Sequence, residues 1–106
     1  MGTYKLSRDA EQDLDRIWLR GLKEYGLEQA DKYYHALFDR FEELAENPYQ
    51  YQIVDHIKEG YRRSPCGSDS IYYRIEGDLV EIMNIIGRQD VEEWLQNEWD
   101  HSYHKP

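Results

Sequence analysis

A chain of 106 residues carrying a formal net charge of -9 has room for one domain around one modest core, and is too short for two. A hydrophobic fraction of 40% and an aromatic fraction of 14% exclude a disordered chain even though 33% of the residues are charged. The acidic balance excludes a surface built mainly to grip phosphates, which is basic, unless Arg62, Arg63, Arg74 and Arg88 gather on one face.

The single cysteine, Cys66, excludes an internal disulfide and fits a reducing compartment. No apolar run reaches the length of a signal peptide or a membrane span. A cytoplasmic protein without membrane contact is therefore expected.

Thr3 to Leu6 predicts a short strand. Ser7 then offers a hydroxyl to cap a helix whose first turn carries Asp9 and Glu11, acids suited to the positive end of the helix dipole. Ala10, Leu14, Ile17, Trp18, Gly21, Leu22 and Tyr25 recur at helical spacing until Gly26. A second helical period follows at once through Ala30, Tyr33, Tyr34, Leu37, Phe38, Phe41, Leu44 and Ala45, stopped by Asn47-Pro48. So short a connection makes the two helices an antiparallel hairpin, and neither buries its stripe fully on the other, so the pair is expected to lie across a sheet.

Residues 48–56 show no clear period and read as an ordered loop, with the next strand beginning near Ile57 or Gly60. Pro65 and Gly67 are expected to break it. In the following run Ile71, Tyr73 and Ile75 share one face, expected to meet the helices, and Ser70, Tyr72 and Arg74 share the other. Gly77-Asp78 marks a hairpin turn. After it, Val80, Ile82, Met83, Ile85 and Ile86 put apolar groups on both faces, as in a central or doubly covered strand. Asp90 is placed to cap a last helix with Val91, Trp94 and Leu95 in its stripe, which Trp99 extends. The reading is an α+β fold: a small, largely antiparallel sheet, an N-terminal α-helical hairpin on one face and a short C-terminal helix. Residues 1–100 form the single domain, and 101–106 a frayed tail.

The order of these pieces resembles the ParE branch of the RelE/ParE toxin superfamily. The match is carried by Gly60-Tyr61-Arg62-Arg63, the Pro65-x-Gly67-Ser68 turn, Ile71-Tyr72-Tyr73-Arg74-Ile75 and the apolar strand closing in Gly87-Arg88-Gln89-Asp90. Upstream it includes Leu6-Ser7 with Ala10 and Asp13-Leu14, Ile17-Trp18, Gln29-Ala30-Asp31 with Tyr33, and Leu44-Ala45-Glu46-Asn47-Pro48. The chain departs from the family pattern at Asp69, where members often carry His, and at Ser64 and Cys66, where an aromatic is common beside Pro65.

The resemblance implies the toxin of a bacterial type II toxin–antitoxin pair, which binds DNA gyrase, stalls its cleavage complex and blocks replication without catalysing a reaction. It also implies an antitoxin that folds its C-terminal segment onto the toxin, so that the two form a hetero-oligomer. The residues expected to meet the target are Arg88, Gln89, Asp90 and Trp94. Those expected to meet the antitoxin are Arg62, Arg74, Tyr72 and Tyr34. For the arginines two readings stand: pairing with Glu59, Glu76, Glu81 or Asp90, or receiving acidic residues of a partner. The aromatic stripe of the hairpin reads as core, with Tyr34, Tyr49 and Tyr51 as candidate rim positions.

One alternative is a ribosome-dependent messenger RNA endonuclease of the RelE type. That chemistry needs a base for the 2'-hydroxyl, an acid for the leaving oxygen and cations for the phosphate. No His or Tyr stands at the Gly87–Asp90 junction, Tyr103 and His104 lie beyond the last helix, and His35 and His56 read as surface residues. His101 and His104 have no further ligand cluster beside them, and Cys66 has no evident base, so no metal, cofactor or catalytic residue is assigned. A second alternative is a non-toxic module that binds the antitoxin on the same fold.

Overall fold

The computed structural model describes residues 2–103, with side chains described through residue 97. Strand β1 spans Thr3–Leu6, helix α1 Arg8–Tyr25 and helix α2 Leu27–Glu46. They are followed by β2 (Gln52–Ile53), β3 (Arg62–Cys66), β4 (Asp69–Glu76), β5 (Leu79–Gly87) and α3 (Val91–Tyr103). Among the described residues the strands form one five-stranded sheet in the order β1-β5-β4-β3-β2. All neighbours run antiparallel except β1 and β5, which are parallel. This is the α+β arrangement expected, with the helical hairpin on one face of the sheet and α3 on the other.

The helices begin and end where their punctuation places them. Ser7 accepts the Ala10 amide hydrogen at 3.0 Å, satisfying one of the orphan donors of α1, and its own hydroxyl donates to Met83 O at 2.7 Å. One residue, Gly26, separates α1 from α2. The shared stripe of Leu14, Ile17, Leu37, Phe41 and Leu44 is buried against Ile71, Tyr73, Val80, Ile82 and Ile85 of the sheet. Each fully buried aliphatic or aromatic side chain there contributes roughly 1.5–3 kcal/mol of hydrophobic stabilisation.

Three local expectations need correction. The segment 48–56 is not all loop, because Gln52–Ile53 pairs with Arg62–Arg63; two residues carry too little alternation to announce a strand. The next strand begins at Arg62, later than Ile57 or Gly60, since residues 54–61 fold back instead, with the Val54 amide donating to Tyr61 O at 2.8 Å. Pro65 does not end that strand, which runs to Cys66. Beyond Arg63 it has β4 as its one strand neighbour, so Pro65 is an edge residue and its missing N–H interrupts no inner ladder.

The mixed pattern of β5 has a specific cause. Tyr72 pairs with Asn84 but Tyr73 pairs with Ile82, so Met83 is an extra residue, a bulge. Val80 and Ile82 before it and Ile85 after it thereby face the helices together, despite their change of parity. Tyr72, Val54 and Ile86 form a smaller core on the opposite face, under Val91 and Trp94 of α3 and Ile57 and Tyr61 of the 54–61 segment. Helix α3 continues to Tyr103, into the segment read as a tail. The side chains of Trp99, His101 and Tyr103, and the whole of His104, lie outside the described residues.

Candidate functional site: the end of the last strand

Strand β1 ends opposite Ile82, which leaves the second half of β5 without a strand neighbour on that side. Helix α1 fills the place. Asp13 Oδ2 accepts the Ile85 amide hydrogen at 2.8 Å, and Arg16 Nη2 donates to Ile85 O at 2.9 Å. The two side chains, 3.5 Å apart, satisfy the donor and acceptor that a neighbouring strand would have taken. Burial raises the Asp13 carboxyl above its usual range, against the opposing pull of the Ile85 bond and of Arg16.

This bracing positions the turn that leaves β5. The Arg88 amide donates to Ser68 O at 3.1 Å, joining the β5–α3 turn to the β3–β4 turn. The Asp90 amide donates to Gly87 O at 2.9 Å, and the Trp94 amide to Asp90 O at 2.9 Å, so Asp90 leads into α3. Arg88, Gln89 and Asp90 are exposed. Trp94, one helical turn on, is half-buried with its ring 4.9 Å from that of Tyr72. The four residues expected to meet the target therefore lie along one end of the sheet.

Helix α1 adds residues to this end that the sequence reading missed. Arg20 lies beside Gly87 and Asp90 in two adjoining clefts, each of about 350 Å³. One is walled by Glu24 and Tyr25, the other by Arg16, Glu93 and Trp94. The spacing of Asp13, Arg16 and Arg20 is the available signal, because it sets three charged groups on one flank of α1 beside the apolar stripe.

Behind Arg20 and Gly87, which line both clefts, stands Asp69, which is 0% exposed. The Tyr33 hydroxyl lies 2.7 Å from both Asp69 Oδ2 and Cys66 O. Burial, and then the bond to Asp69, push the Tyr33 phenol well above its usual range. Burial likewise pushes the Cys66 thiol up. Gly67 keeps this corner closed, since its φ is +61° and a Cβ there would overlap the Tyr33 ring.

The four residues expected at the antitoxin interface are spread over both faces. Tyr34 lies in the helical hairpin between Trp18 and Phe38, with ring centroids 5.3 and 5.0 Å away. Arg62 belongs to the helix side, donating to Tyr51 O at 2.7 Å under the exposed ring of Tyr49. Arg74 is on the other side, held by Glu81 at 2.8 Å with Glu76 at 3.9 Å. Tyr72 is beneath Trp94 and 0% exposed. For Arg74 the pairing reading holds, and the four arginines form no common basic face. His35 and His56 are exposed, on α2 and in the 54–61 segment. Among the described residues no three His, Cys, Asp or Glu converge as metal ligands, and no helix is long and apolar enough to cross a membrane.

The family model described as the ParE toxin of the type II toxin–antitoxin system parDE matches residues 4–92. The chain is 40% identical over 86 residues to Toxin ParE1 of Caulobacter vibrioides, covering 81% of this chain and 88% of that protein. It is 31% identical over 91 residues to Toxin ParE1 of Mycobacterium tuberculosis, covering 84% and 93%. Among solved structures, a chain of the chromosomal ParDE TA system from P. aeruginosa superposes with a TM-score of 0.72 at 24% identity, over 82% of this chain and 96% of that one.

Proposed function

Because the chain belongs to the ParE toxin family of type II toxin–antitoxin systems, we propose that it acts in the cytoplasm by binding DNA gyrase, stalling the cleavage complex and blocking replication. The activity is one of binding, and the chain itself breaks no bond. The observation that carries this reading is the exposed end of β5. Arg88, Gln89 and Asp90 project from a turn tied to Ser68 and braced by Asp13 and Arg16, with Trp94 alongside. A rigid end with varied side chains suits recognition of another protein's surface.

The other face of the sheet supports the same reading. A ribonuclease of this fold needs an open, basic concavity with a base in reach of the 2'-hydroxyl. Here Tyr72 is roofed by Trp94, and Arg74 is neutralised by Glu81.

A cognate antitoxin completes the system as a hetero-oligomeric partner. Tyr34 and Arg62 lie on the helix side of the molecule and are the pair a single wrapping segment reaches. Arg74 and Tyr72 are met only if the segment passes around the sheet edge, and Tyr72 only if α3 moves aside. Induction of the chain without antitoxin, with labelled thymidine and labelled methionine followed in parallel, tests the proposal. Early arrest of DNA synthesis with continuing translation is expected. Early arrest of translation favours the endonuclease, and no growth defect favours a non-toxic binding module.

A further inference from the structure

Asp69 presents a carboxylate oxygen to which no described residue donates a hydrogen bond. The residue is 0% exposed; Tyr33 holds Oδ2, while Oδ1 has no hydrogen-bond partner among the described residues. Among the described residues the ion-pair partner of Oδ1 is Arg20 Nη2 at 3.9 Å, within Coulomb reach but beyond hydrogen-bond length. A buried acceptor left unmade is costly, and such an atom in a folded chain calls for an explanation.

Oδ1 lies next to Arg20 and Gly87, both of which line the two clefts already described. A Cβ placed on Gly87, which lines both of them, would lie 3.5 Å from Asp69 Oδ1 and 2.6 Å from Asp90 Oδ2. Glycine is thus the residue that lets the Asp90 carboxylate lie against this backbone position, with Asp69 Oδ1 close by. Asp90 is exposed, Glu24 and Tyr25 wall one of the clefts, and the Arg20 side chain is 40% exposed.

We propose that the Asp69–Asp90 pair across Gly87 is a socket for one basic side chain, an arginine in preference to a lysine, presented by the target protein. The inference rests on the reading of this end of the sheet as the target-binding edge, and gives that contact a chemistry. A guanidinium has a planar fork that spans two carboxylate oxygens, whereas an ammonium is a point donor. Arg20 is the resident placeholder. The incoming group takes over its charge contact with Asp69, adds the hydrogen bond Arg20 does not make, and engages Asp90 as well. The net charge of -9 favours approach of a basic partner surface.

The test uses N-acetyl-arginine-methylamide as a probe of one arginine side chain, titrated into the isotope-labelled full chain while the amide resonances of Ser68, Gly87 and Arg88 are followed. Saturable shifts at these amides are expected, weaker ones with the lysine analogue and none with the norleucine analogue. Asp69→Asn and Asp90→Asn should each weaken the arginine probe by about tenfold, as loss of one charge-assisted contact does. Arg20→Gln should tighten it, because the competitor is gone. If Asp69→Asn fails to fold, Asp90→Asn, altered at an exposed side chain, decides alone. Equal responses to arginine and norleucine analogues, or binding that ignores both Asp90→Asn and Arg20→Gln, overturn the socket.

Gyrase assays on the same proteins separate this inference from the reading beneath it. If wild-type protein leaves gyrase untouched yet binds the probe as described, the target is wrong and the socket stands. If wild type and Asp90→Asn trap gyrase equally while the variant has lost the probe, the socket is not the target contact and the functional reading stands.

Discussion

Asp13 accepts the amide hydrogen of Ile85 at 2.8 Å, across the half of β5 that β1 does not reach. A side chain of the first helix thereby stands in for a strand at the root of the proposed binding end. Asp13→Ala leaves that amide without its partner in a half-buried place and is expected to cost about 1–3 kcal/mol. Asp13→Asn keeps an acceptor and should cost less. Urea denaturation of the two variants measures the difference, and equal losses would mean that the bond contributes nothing.

Gly67→Ala combines a left-handed backbone with an overlap against Tyr33. A loss of roughly 1–3 kcal/mol in thermal or urea unfolding is expected, with a change in the environment of the Tyr33 ring. Gly77→Ala makes the comparison, since that residue also has positive φ, at +59°, but faces open space. The steric part of the effect is the excess of the first loss over the second.

Glu81 is held below its usual carboxylate range, first by the hydrogen bond from Arg74. A depressed folded-state pKa means stability that is present above the unfolded-state value near 4.5 and lost as pH falls through the folded-state value. Asp13 is raised by burial and works the other way, its ionisation opposing folding as pH climbs from the ordinary value of 3.8. Arg74→Met should flatten the acid limb of a stability-against-pH curve by on the order of 0.5–1 kcal/mol, since Arg74 is 43% exposed and solvent screens the pair. Asp13→Asn should steepen the same limb. Identical curves for wild type and Arg74→Met would remove the pairing from the account.

Cys66 is buried, and burial pushes its thiol above its usual range. Alkylation by iodoacetamide at pH 8 is expected to be at least about tenfold slower in the folded protein than in denaturant. Equal rates would place the sulfur at the surface.

The helices were legible because their apolar residues keep one period for several turns and end at Gly26 and Asn47-Pro48. The facing of Ile71, Tyr73 and Ile75 toward the hairpin was legible for the same kind of reason. Strand β2 was not, having two residues, and the bulge at Met83 was not, because a strand apolar on both faces hides a change of parity. At the proposed binding end, Arg88 to Asp90 with Trp94 a helical turn later are contiguous along the chain, so a sequence reading can group them. Arg20 and Asp69 come together only through the way α1 crosses the sheet, and no local pattern announces a contact between residues so far apart.

The measurement that bears most directly on the central claim is the accumulation of gyrase-cleaved DNA as purified protein is titrated into a supercoiling reaction. Trapped cleaved DNA that rises with protein concentration is expected, together with its loss in a folded Arg88→Glu, Trp94→Ala double variant. Supercoiling that proceeds undisturbed at every concentration, while a translating extract stops and its transcripts are cut, would contradict the account.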